Sequence, residues 1–164
     1  MERVTFEERN CSVARSLDIL GDWWNVLIVL ESMWGTSRFD DYQKHLKISK
    51  GILSKRLKLL QEHEVLHKVS INGGSEYRLT EKGLDLYVVV QAILQWGDKW
   101  NPPAEGCPVV PFNRDNDAEL APLELRDIQG LPVTLKNLGL RPGPGANANT
   151  RLRLESLSFR DKYR

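Results

Sequence analysis

Leu53, Leu57 and Leu60 recur at i, i+4 and i+7, and at about 100° per residue they share one narrow arc of a helix. Gly51, Ser54, Lys55 and Lys58 fall on the far side, with Lys50 and Arg56 on the flanks, placed to lean towards a phosphate backbone. One face packs; the other is small and cationic. Ser49, just before the first turn, is the expected N-cap. After Glu64 the pattern changes: Leu66, Val69 and Ile71 support a strand that returns through Glu76-Tyr77-Arg78-Leu79. Asn72-Gly73-Gly74-Ser75 lies between, and Asn-Gly suits the two positive-φ positions of a type I′ hairpin.

Three helical segments precede the cationic helix. Ser12 to Leu20 carries Val13, Leu17 and Leu20 on one stripe, and Phe39 to Leu46 repeats Phe39, Tyr42 and Leu46. Asp22 to Trp34 is apolar on nearly all sides, as expected of a central helix or one that also faces a partner subunit. After the hairpin, Thr80-Glu81-Lys82-Gly83 is expected to start a single helix capped by Thr80, whose apolar residues follow from Leu84 through Val90 and Ile93 to Trp100 over about five turns. It holds more large apolar residues than one face of a small monomer uses, which predicts dimerisation. The order of elements predicts a mainly α fold with a β-wing (α+β), a winged helix-turn-helix that dimerises through its N- and C-terminal helices.

Asn101-Pro102-Pro103 ends that helix, so the expected units are residues 1–103 and a C-terminal extension, residues 104–164. In the extension, short apolar stretches alternate with Pro and Gly. Leu123 to Leu125, Gly130 to Leu135 and Leu138 to Leu140 predict two or three short strands, with turns at residues 128–132 and at Lys136-Asn137. A last helix is expected over residues 149–157, capped by Asn149 or Thr150. The tail is expected to be either a small β-rich appendage packed on the dimer or a partly mobile segment, the first being favoured because its apolar residues recur.

Net charge is only +1, so the chain as a whole has no polyelectrolyte signature. Locally the balance differs: from Arg38 to Lys68 there are eight Lys or Arg against four acids. Basic charge is thus gathered on the cationic helix and its approaches, and a symmetric dimer doubles it. Lys68 and Arg78 lie on the hairpin arms, but the tip carries no cation. Its contacts with nucleic acid are expected through Asn72, Gly73 and Ser75 and their backbone N–H groups.

Cys11 and Cys107 belong to no CxxC pair, which argues against a zinc ribbon or a disulfide framework; no metal and no cofactor is expected. The N-terminus is too charged for a signal peptide and the apolar runs are too short to span a bilayer, so a cytoplasmic protein without membrane association is expected. No Ser/His/Asp arrangement or Gly-rich phosphate loop suggests an enzyme.

Cys11-Ser12-Val13-Ala14-Arg15-Ser16-Leu17-Asp18-Ile19-Leu20-Gly21-Asp22-Trp23-Trp24, then Arg38-Phe39-Asp40, Leu53-Ser54-Lys55-Arg56-Leu57 and Leu79-Thr80-Glu81-Lys82-Gly83 resemble the HxlR family of bacterial winged-helix transcriptional regulators, relatives of the MarR group. The resemblance covers residues 10–100, and the tail is similar to that of a long subgroup with a C-terminal extension. It implies a homodimer that sets one recognition helix per subunit in successive major grooves of a palindromic double-stranded DNA operator. Ser49, Lys50, Gly51, Ser54 and Lys55 are then expected to face bases or nearby phosphates, and Arg38 to hold a phosphate. Repression is the simpler expectation, released by a small aromatic or quinone-type effector or by thiol oxidation. The alternative is a winged-helix interaction module with little or no DNA binding.

Two inputs follow. Cys11 opens a helix between Arg9 and Arg15, a setting that favours a thiolate, and is the candidate redox sensor; the plain alternative is a small buried hydrophobe. Trp23, Trp24, Trp34 and Trp96 are candidates to line an effector pocket, against the plain alternative of core residues.

Overall fold

Asp22 starts the helix on which the fold is built: its carboxylate accepts a hydrogen bond from the Trp24 N–H at 3.0 Å. The computed structural model describes residues 6–156. Four helices come first: α1 (Ser12–Leu20), α2 (Trp23–Met33), α3 (Phe39–Leu46) and α4 (Lys50–Glu62). The hairpin β1 (Leu66–Ile71) and β2 (Gly74–Leu79) follows, then α5 (Glu81–Leu84) and α6 (Tyr87–Trp100). This is the expected α+β winged helix-turn-helix. α2 is central, packing on α1, α3, α4, β2 and α6.

The core confirms the stripe read from the leucines. Leu53, Leu57 and Leu60 of α4 are buried with Ile28 and Val29 of α2, Tyr42 of α3 and Val65, Leu66 and Val90. Lys47 turns the chain between α3 and α4 in the left-handed region, φ +52°, which lets Ile48 enter the core. The wing is fastened at its base, where the Tyr77 N–H donates to Ser37 O at 2.7 Å and the Tyr77 ring meets Tyr42 edge-on.

Tyr42 is fully buried, and its hydroxyl bonds Ser32 Oγ and the Thr36 carbonyl, each at 2.7 Å. Burial chiefly, with Glu31 nearby, pushes its pKa up to about 12, against the opposing effect of the Ser32 bond. Because the folded-state pKa lies above the unfolded value, this stabilisation is complete below pH ~10 and is lost as pH rises towards ~12. Tyr42→Phe should cost about 1 kcal/mol near neutrality, from the lost hydrogen bonds. It should also flatten the alkaline fall in melting temperature between pH ~10 and ~12 relative to the native protein. Thermal melts of both proteins across that range check it.

The structure departs from the sequence expectations in several places. The helix after the wing is two helices: Leu86 N–H bonds back to Gly83 O at 3.3 Å, an i→i−3 step that closes the chain tightly between α5 and α6. The wing turn is not type I′. Ile71 pairs with Gly74, leaving Asn72-Gly73 as the loop, and of those two only Gly73 has positive φ, +91°. That is the sign pattern of a type II turn.

Further departures lie in the second unit, which begins at Cys107. It contains the hairpins β3 (Phe112–Asn113) with β4 (Ala118–Glu119) and β5 (Leu125–Arg126) with β6 (Pro132–Val133), then α7 (Ala148–Ser156). The first hairpin was not expected; the stretch 138–140 forms no strand, and the turn at 135–137 is held by the Asn137 side chain accepting from Thr134 N–H at 2.6 Å. The helix cap is Asn147, which accepts from Thr150 N–H at 2.9 Å, rather than Asn149 or Thr150. Leu157, the expected end of that helix, lies outside the described residues. No described side chain of this unit is fully buried.

Candidate nucleic-acid interface

The α4 surface opposite its leucines is open. Lys50, Gly51, Ser54, Lys55 and Lys58 are all exposed, as is Ser49, whose Oγ accepts from Ile52 N–H at 3.4 Å to cap the helix. A Cβ at Gly51 would meet no atom within 4 Å. No described residue therefore requires glycine there, and the absent side chain leaves room for another molecule to approach the helix backbone.

The cations divide by whether the protein itself occupies them. Lys50 and Lys55 form no ion pair among the described residues, while Lys58 lies 3.6 Å from Glu62, one turn away and well exposed. Arg56 behaves differently from expectation. Its guanidinium pairs with Asp22, the cap of α2, in a partly buried contact that joins α4 to α2. Arg56 is thus committed to the fold and is not a phosphate arm.

Arg38 is exposed at the N-cap of α3, next to the Ser37 carbonyl that holds β2. On the wing, Asn72 and Gly73 are exposed at the tip and Ser75 is half-buried. The Arg78 guanidinium is drawn along its own strand to Glu76, with Nη2 at 2.9 Å and Nε at 3.2 Å. A neighbouring carboxylate offsets its charge, so Arg78 offers less to a phosphate than its position suggested. Lys68 lies 5.7 Å from the Tyr77 ring centroid, on the opposite face of the hairpin from Arg78. The wing therefore presents polar tip atoms and few available cations.

Two residues at this surface escaped the sequence reading. Ile52 is 40% exposed on α4, where an aliphatic side chain is suited to a thymine methyl group. Its signal was an apolar residue outside the leucine arc. Lys47 is exposed in the turn leading to α4, and its left-handed backbone was not legible from a lysine.

Behind α3, polar groups join it to α2. Thr36 Oγ1 donates to Glu31 Oε2 at 2.7 Å, and His45 Nδ1 lies 3.0 Å from the same oxygen. His45 is therefore engaged with α2.

The candidate inputs lie elsewhere. Cys11 is the exposed N-cap residue of α1, and its carbonyl accepts from Arg15 N–H at 3.1 Å; it is not a buried hydrophobe. Trp24 packs against the core, whereas Trp23, Trp34 and Trp96 are each more than half exposed. One chain alone does not enclose a ligand among these four. On α6, Val89, Ile93, Trp96 and Trp100 follow at i, i+4, i+7 and i+11, and each is at least 45% exposed. Val13 and Leu17 of α1 are exposed one helical turn apart. No described helix is long and apolar enough to cross a membrane.

A family model described as HxlR-like helix-turn-helix matches residues 19–105. An uncharacterised HTH-type transcriptional regulator of Mycobacterium tuberculosis (strain ATCC 25618 / H37Rv) is 34% identical over 140 residues, covering 84% of this chain and 89% of its own. The crystal structure of PA1607, described as a candidate transcription factor, superposes with a TM-score of 0.80 at 34% identity, covering 85% of this chain and all of that one. The redox regulator HypR in its oxidised form matches with a TM-score of 0.53 at 25% identity, over 57% of this chain and all of its own.

Proposed function

We propose, from the premise that this chain belongs to the HxlR-like helix-turn-helix family of transcriptional regulators, that it is a homodimeric repressor reading a palindromic operator through α4. The observation that carries the reading is the outward face of α4: exposed Lys50 and Lys55, without an ion pair among the described residues, flank a Gly51 that no described neighbour requires. A cationic helix with small residues in its first two turns fits a major groove, where backbone approach and phosphate neutralisation reinforce each other. Arg38 supplies a further phosphate contact, and the wing contributes polar contacts through Asn72, Gly73 and Ser75.

The second protomer covers the apolar stripe Val89, Ile93, Trp96 and Trp100 together with Val13 and Leu17. Four large exposed apolar side chains along one helix are far more than isolated surface hydrophobes, and a second copy buries them symmetrically. The exposure of Trp23 and Trp96 supports a flat aromatic effector as one input to the dimer. A regulator seated on an operator through α4 acts most simply by occluding promoter DNA.

The reading is tested by titrating the protein against DNA upstream of its own gene at several salt concentrations. Tight, salt-sensitive binding that unrelated competitor DNA does not displace supports it; equal affinity for any sequence, or none, removes it.

Thiol chemistry is the second proposed input. Cys11 is exposed at a helix N-terminus, and a related fold belongs to a redox regulator. Treatment with diamide or a benzoquinone should release DNA from the native protein and leave Cys11→Ser bound, as read in the same titration. Full release from Cys11→Ser would reject Cys11 as the sensor.

A further inference from the structure

The chain leaving the wing closes back onto the end of α4. Three consecutive carbonyls there accept hydrogen bonds from one short segment. Lys82 Nζ donates to His63 O at 2.8 Å, Thr80 Oγ1 to Glu64 O at 2.5 Å, and Thr80 N–H to Val65 O at 3.1 Å. The same Thr80 hydroxyl accepts from Gly83 N–H at 3.1 Å, so it caps α5 while holding the exit from α4. A Cβ on Gly83 would stand 2.2 Å from Val65 O, which explains why the backbones meet at a glycine.

This contact has work to do. The last carbonyls of an α-helix lack intrahelical donors, and a cation is favoured beside them by the helix dipole. Just beyond, Glu64 is held in the left-handed region at φ +56°, which a residue with a side chain rarely adopts without support. His63, the C-cap of α4, is thereby fixed from outside its own helix. On the other side, α5 passes through the tight step at Leu86 into α6, the helix carrying the apolar stripe.

We infer that Lys82 is a positioning residue for DNA reading: by holding the His63 carbonyl it fixes the C-terminal end of α4 and ties the placement of that helix to α6. The inference rests on the reading of α4 as the recognition helix. Lys82 is exposed, so replacing it removes no core packing. It is the ammonium, not the stem, that makes the contact.

Full-length Lys82→Met and Lys82→Arg separate this role from a direct phosphate contact. Operator affinity is measured across salt concentrations, and amide hydrogen exchange is followed in the last turn of α4, residues 59–63. Lys82→Met should weaken binding about tenfold with the salt slope unchanged. It should also speed exchange in that turn while leaving α2 as it was, and Lys82→Arg should restore most of both. A slope reduced by about one per subunit would make Lys82 a phosphate contact and overturn the inference. Unchanged exchange would overturn it too. The exchange measurement needs no DNA, so a native protein that bound no operator would refute the regulator reading while the clamp was still decided by exchange.

Discussion

Replacing Lys50 and Lys55 together by glutamate should lower operator affinity by roughly a hundredfold or more at ~0.1 M salt, with little change in melting temperature. Both side chains are exposed and neither forms an ion pair among the described residues. Their charge therefore contributes little to folding. In a dimer the double variant removes four cations from the DNA surface and adds four anions. If each lysine neutralises one phosphate, the slope of log affinity against log salt should become shallower by roughly 3 to 4. Arg56→Ala makes the contrast: its loss exposes Asp22 to an empty partner site and should appear first as lower thermal stability. Equal affinity and slope in the double variant would mean that α4 does not face the DNA.

Ile93→Glu should convert the dimer to monomers at micromolar concentration and cost roughly 10²- to 10⁴-fold in operator affinity, the loss expected when two linked half-site contacts become independent. Ile93 sits mid-stripe on α6, 51% exposed in the single chain. In a two-fold interface the substitution places two carboxylates in the same apolar contact, each carrying a desolvation penalty of several kcal/mol. The folded protomer should survive, because the buried side of α6 is formed by Val90, with Leu86 leading into the helix. Sedimentation reads the oligomeric state and circular dichroism the fold. A variant that remained dimeric would remove α6 from the interface.

The parts of the fold legible in the sequence are those set by local periodicity and caps. α1 and α3 have the bounds that their apolar spacing indicated, and Ser49 caps α4 as its hydroxyl suggested. What the sequence hid depends on partners distant along the chain. Arg56 sits where a phosphate arm belongs on a helical wheel, and only the packing of α2 against α4 brings Asp22 to it. The division between α5 and α6 follows the approach of Gly83 to the Val65 carbonyl, 18 residues earlier in the chain. Asn-Gly correctly marked a two-residue loop, yet the sign of φ at Asn72 depends on how the strands enter it. In the C-terminal unit the strands are two residues long, too short to leave a period. At the interface, the exposed lysines of α4 were legible because they lie opposite a leucine stripe. The engagement of Arg78 by Glu76 was not, since it depends on rotamers along one strand.

Whether two copies of α4 read one operator is decided by hydroxyl-radical footprinting of the native protein on the DNA upstream of its gene. Two protected patches related by two-fold symmetry are expected, their centres one helical turn of about 10 base pairs apart or a whole multiple of it. Protection should vanish in the Lys50→Glu, Lys55→Glu double variant. A single unsymmetrical patch, or no protection at salt concentrations where the protein is folded and dimeric, would contradict paired reading by α4 and favour a winged helix that binds protein rather than DNA.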